Sequence, residues 1–197
     1  MISLMVLGGA QMLSLRKKRF KEELLKKREA QRQSRSAQKN RALNVSDYLS
    51  VDRIGVFLND CSAPQVFSDL ISRVPIENSL SALEAILARE RIASTMVTPG
   101  IALPHARILG IENILSALAI CPNGIKVKAE EPPTYLFLLF VSPIDGLKNH
   151  LRFLAGASAL FQKENFLKEL LQLKTSESIL EKIKEMELKS HAKHSAK

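Results

Sequence analysis

Tyr135-Leu136-Phe137-Leu138-Leu139-Phe140-Val141 is an unbroken apolar run lying between Pro133 and Pro143. A strand with one wet face would alternate polar and apolar residues. This run does not, so both of its faces are expected to be buried. Its length and aromatic content favour a strand over a buried helix, and the prolines bound it. A strand buried on both faces needs covering layers above and below it. The flanking sequence supplies them. After Gly146, the residues Leu147, Leu151, Leu154, Ser158 and Phe161 recur at helical spacing. Phe166, Leu167, Leu170 and Leu171 predict a further helix, and Ile179, Leu180, Ile183 and Met186 a last one. Upstream, residues 114–120 read as a second strand, and Ile101-Ala102-Leu103 is a short apolar run stopped by Pro104. Ser62-Ala63-Pro64 predicts a helix start with proline in its first turn. Another helix is expected from about Ser81, with Glu84 placed as in a capping box and Arg89-Glu90-Arg91 at its end. These elements predict an α/β fold: a single domain with a sheet flanked by helices on both faces.

The net charge of +9 is unevenly placed. Residues 1–42 hold twelve basic and three acidic side chains, which accounts for all of it. The rest of the chain is balanced, so the charge argues for a basic arm and not for a basic domain. The arm has few apolar residues after Leu15 and is expected to be largely disordered or helical. The domain is expected over residues 43–187, and residues 188–197 are expected to form a solvated tail. Contact with nucleic acid or a membrane is conceivable through the arm alone. Phe20 is its one aromatic residue beyond the start, too few for stacking on bases. Cys61 and Cys121 are far apart in sequence and in no metal-like spacing, which suits a reduced, cytoplasmic protein. The sequence contains no glycine-rich phosphate loop and no zinc or calcium ligand pattern.

Of the four histidines, His191 and His194 fall in the expected tail. His105 follows Pro104 and is placed at a strand end, where α/β proteins present reactive side chains. Imidazole is both a neutral nucleophile and a tolerable leaving group near neutral pH. His150 falls beside the buried face of the helix that follows Gly146. Taken alone, each is equally compatible with a structural histidine.

The longer context is more specific. Glu84-Ala85-Ile86-Leu87-Ala88-Arg89-Glu90-Arg91-Ile92-Ala93-Ser94-Thr95, followed by Gly100-Ile101-Ala102-Leu103-Pro104-His105, resembles the signature of enzyme IIA of the mannitol/fructose type in the bacterial phosphotransferase system. The nitrogen-regulatory members of that family are the closer likeness. Asn149-His150-Leu151 occupies the place of the family's second histidine. The resemblance covers residues from about 43 to about 186, and it implies that the single α/β domain is built on a mixed sheet. It implies a phosphotransferase component in which His105 accepts a phosphoryl group from an HPr-type carrier or its nitrogen-branch homologue. His150 and Arg89 are then expected to stabilise the phosphoryl group, with Ser94 and Thr95 supporting it from the loop. No cofactor or metal is implied. Downstream, the resemblance implies either a IIB domain that receives the phosphoryl group or target proteins regulated by it. The absence of a IIB or membrane domain in this chain favours the regulatory role. A binding module without phosphoryl transfer is the third reading. The sequence departs from the family at Ala93, at Met96-Val97-Thr98-Pro99 and at Ala106, where glycines are usual, and these changes stiffen the loop.

Overall fold

A computed structural model describes residues 43–58 and 61–195. The arm expected over residues 1–42 lies outside the described residues, as do Lys197 and Ala196 of the expected tail.

The run that opened the sequence reading forms β6 (Thr134–Pro143), with Leu136 through Val141 fully buried. It is central. β5 (Leu115–Ile125) pairs with it antiparallel on one side. On the other side β3 (Ile101–Ala102) and β4 (His105–Ile108) both pair with it in parallel. β1 (Ile54–Val56) extends the sheet beyond β5, and β2 (Met96–Thr98) extends it beyond β3. The sheet is therefore mixed, in the order β1-β5-β6-β3-β2, with β4 at the end of β6.

Alternation along β6 builds the two halves of the core. Phe137, Leu139 and Val141 pack with α1 (Ala63–Ser72) and α2 (Ser79–Ile92). Leu136, Leu138 and Phe140 pack with α3 (Leu147–Phe161), α4 (Phe166–Leu171) and α5 (Ser176–Ser195). This is the expected mixed sheet with helices on both faces. Gly100 sits at φ +90° in the turn into β3, and a Cβ there would lie 3.1 Å from both Leu167 and Tyr135. That conformation and that crowding both favour glycine.

Four details differ from the sequence reading. α2 starts at Ser79, capped by Asn78, whose side-chain oxygen accepts the Ser81 N–H at 3.0 Å. Asn78 reaches that N–H before the expected Ser81–Glu84 box can form. The chain does not leave the sheet at Pro104. Proline lacks the N–H but keeps its carbonyl, which accepts from Phe140 N at 3.0 Å, and pairing resumes at His105. Met96–Thr98, at a place where the family resemblance implies a glycine-rich loop, is strand, in keeping with the β propensity of Val97 and Thr98. Finally, α5 runs through the expected tail to Ser195. Leu, Glu, Lys and Ala there are strong helix formers. Glu187 anchors the helix to the start of the domain: its buried carboxylate accepts from Val45 N and Ser46 Oγ, each at 2.5 Å.

Candidate functional site

β4 is short, lies at the edge of the sheet and begins with His105. Ala106 points into the core beside α1 and α2, so His105 and Arg107 face the opposite side. The register sets His105 against Phe140 and Arg107 against Ser142. The His105 ring stacks on the Phe140 ring, with centroids 5.2 Å apart and planes 22° apart. Its Nδ1 lies 2.7 Å from the Leu103 carbonyl oxygen. A carbonyl only accepts, so Nδ1 carries the proton and Nε2 of the neutral ring holds the lone pair.

His150 reaches the same place from the first turn of α3. Gly146 precedes that helix, and its carbonyl accepts from His150 N at 2.9 Å. The two histidine rings lie edge to face, 5.1 Å apart. His150 is buried, and its Nδ1 shares a 2.7 Å hydrogen bond with the Ser142 hydroxyl. Ser142 is the polar break at the end of the apolar strand and is itself fully buried.

Arg89, in the last turn of α2, lines both clefts that meet at His105. One, of about 420 Å³, includes Ile92, Arg107, Ile144 and His150; the other, of about 450 Å³, includes Ser94, Thr95 and Leu151. Arg89 donates from Nη1 to the Ala93 carbonyl at 2.9 Å. Burial pushes the His105 ring below its usual basicity, and Arg89 adds to this, while the Leu103 bond and the Glu90 carboxylate oppose it. Burial, then the charges of His105, Arg107 and Arg89, push His150 down to about 4. Two neutral imidazoles therefore face each other at neutral pH, with guanidinium groups around them.

The profile described as "Phosphoenolpyruvate-dependent sugar phosphotransferase system, EIIA 2" matches residues 64–186. The chain belongs to this family. It is 29% identical over 99 residues to the fructose-specific EIIABC component of Bacillus subtilis, which covers 50% of this chain and 16% of that protein. It is 24% identical over 139 residues to the nitrogen regulatory protein of Bradyrhizobium diazoefficiens, covering 68% of this chain and 91% of the relative. Among solved structures, the fold is similar to the nitrogen regulatory protein IIA-Ntr of Neisseria meningitidis, with a TM-score of 0.63 and 19% identity over 71% of this chain and 98% of the other.

Within this IIA fold, one cleft brings His105, His150 and Arg89 together. Ser94 and Thr95 line the adjoining cleft, but their hydroxyls and the Thr95 N–H are engaged within the protein itself. The Thr95 hydroxyl donates to Glu90 Oε2 at 2.5 Å and its N–H to Glu90 Oε1 at 3.2 Å. The Ser94 hydroxyl donates to Glu131 at 3.1 Å and accepts from Met96 N at 3.2 Å. Four contributors escaped the sequence reading: Phe140, Ser142, Arg107 and Glu90. Arg107 was legible as the residue two places after His105 on a strand, and Ser142 as the polar residue that follows the apolar run. Glu90 and Phe140 carried no such signal.

The depressed basicity of His150 has a consequence for stability. Its unfolded value is near 6.5, so between about pH 4 and 6.5 the unfolded chain binds more protons than the folded one. The contribution is intact above pH 6.5 and is lost as the pH falls toward 4. The shift corresponds to at most about 3 kcal/mol. Urea midpoints measured across this window should fall with pH, and His150→Gln should flatten the fall. An equal slope in both proteins would show that the ring titrates normally.

Proposed function

We propose that this protein is a cytoplasmic phosphoryl carrier that takes a phosphoryl group from an HPr-type phosphohistidine onto Nε2 of His105. The observation that carries the reading is the Nδ1–Leu103 hydrogen bond, which puts the lone pair on Nε2. In the transfer, that lone pair forms the new N–P bond. The donor's N–P bond breaks, and its electron pair returns to the donor imidazole. The task of the protein is then to position the group and to meet the charge on its oxygens.

Arg89 and His150 are the groups placed to do so. With Ser142 donating to Nδ1 of His150, the proton of the neutral ring sits on Nε2, which becomes a donor for a phosphoryl oxygen. Ile92, Ile144 and Leu151 are exposed around the clefts. Such an apolar rim suits docking of a protein donor rather than a small molecule. The match to 91% of a nitrogen regulatory protein supports a regulatory role, in which the phosphorylation state selects downstream target proteins. The match to a fructose-specific component supports delivery to a IIB domain as the second reading.

The test is incubation with phosphoenolpyruvate, enzyme I and an HPr-type carrier, followed by intact mass. The protein should gain one acid-labile phosphoryl group; no gain would overturn the reading. His150→Ala should slow the transfer, by up to about 10²-fold, the low end for losing one oxyanion donor. His150→Gln should recover part of the rate, because its amide still donates. Equal rates in all three proteins would reduce His150 to a packing residue.

A further inference from the structure

Glu90 is a carboxylate 8% exposed, at the inner face of the last turn of α2, and the transfer chemistry gives it no contact with the phosphoryl group. Its two oxygens hold Thr95, one on the N–H and one on the hydroxyl. Thr95 is itself buried, and its carbonyl accepts the N–H of Leu103 at 3.0 Å. The Leu103 carbonyl in turn accepts from Nδ1 of His105. An unbroken chain of hydrogen bonds thus runs from Glu90 through Thr95 and Leu103 to the imidazole. Each link fixes the direction of the next, because both the N–H and the C=O of the Leu103 residue are engaged.

We propose that Glu90 is a positioning residue for His105: through Thr95 and Leu103 it holds the carbonyl that keeps the proton on Nδ1 and the lone pair on Nε2. The inference rests on His105 being the phosphoryl acceptor, but its first consequence concerns the unphosphorylated ring. A carboxylate suits the task better than a neutral side chain of similar size. It accepts from both Thr95 donors at once, and bonds to a charged acceptor are stronger than neutral ones. A buried carboxylate left without these donors would be costly, so the Glu90–Thr95 pair resists rearrangement. The sequence signature is explained in the same terms. Threonine at position 95 offers a hydroxyl and a backbone N–H to one carboxylate, and position 90 is the helix residue that reaches both.

The experiment is long-range ¹H–¹⁵N NMR of the histidine rings in the full chain, unphosphorylated, with transfer kinetics measured in parallel. In the unaltered protein His105 should show a single tautomer with the proton on Nδ1. In Glu90→Ala and Thr95→Val it should show a mixture of tautomers. The rate constant for phosphoryl acceptance should fall roughly ten- to hundred-fold, the scale of a misplaced reacting group. KM for the carrier should stay unchanged, because the exposed rim is untouched. Glu90→Gln accepts from the Thr95 N–H and donates to its hydroxyl oxygen, so it should restore most of the single tautomer, as should Thr95→Ser. Thr95→Val removes only the hydroxyl and tests the claim if Glu90→Ala does not fold. A single Nδ1–H tautomer in folded Thr95→Val or Glu90→Ala, with unchanged rate, would overturn the proposal. If even the unaltered protein accepts no phosphoryl group, the functional reading fails, and the tautomer spectra still decide the role of Glu90.

Discussion

His105→Ala should receive no phosphoryl group from a phosphorylated HPr-type carrier, while its melting temperature stays within a few degrees of the unaltered protein. The loss is expected to be total because, among the described residues, no neighbouring group is placed to replace the nucleophile. Ser94 and Thr95 have their hydroxyls committed to carboxylates. His150 is buried, with Nδ1 engaged by Ser142. The stability cost is small because the ring is only part-buried and gives up one hydrogen bond, a net contribution of about 1 kcal/mol. Radiolabel transfer and calorimetry on the same sample check both halves. Residual acid-labile labelling in the variant would assign the acceptor elsewhere, and His150 would be examined first.

Phe140→Ala should show the opposite balance, a large loss of stability. Phe140 is fully buried in β6, 4.8 Å from the Phe153 ring and 5.2 Å from each of the two histidine rings. It supports both imidazoles from beneath and joins them to the core half that contains α3. Truncating a buried Phe costs about 3–5 kcal/mol. For a domain of this size that lowers Tm by roughly 6–20 °C. Transfer at a temperature where the variant is still folded should also slow, because His105 loses the surface on which it stacks. A Tm within about 2 °C of the unaltered protein would show that the cavity collapses at little cost.

The contrast between these two residues shows what the sequence could reveal. Phe140 was readable as core, since it lies in a run with no polar residue, but nothing marked it as the floor of the site. That role depends on register: β4 pairs with β6 so that His105 faces Phe140 and Arg107 faces Ser142. Register between distant strands is a tertiary property. The architecture was legible because the length and aromatic content of the apolar run favour a doubly covered strand, and because helical periods flank it. His105, His150 and Arg89 were legible through the family signature and not through their bare spacing. Thr95 was expected to support the phosphoryl group from the loop, and in the structure it is held by Glu90. Sequence shows a hydroxyl at the loop but not that a carboxylate five residues earlier occupies it. The helix around Glu187 was cut short for a similar reason, since its anchoring at Val45 and Ser46 spans almost the whole domain.

Phosphorus-coupled ¹H–¹⁵N NMR of the protein, after transfer from the phosphorylated carrier, identifies the atom bonded to phosphorus. The expected result is a single phosphohistidine at position 105, with phosphorus on Nε2 and the proton retained on Nδ1. Phosphorus on Nδ1 of His105, on His150, or on no histidine at all would contradict it.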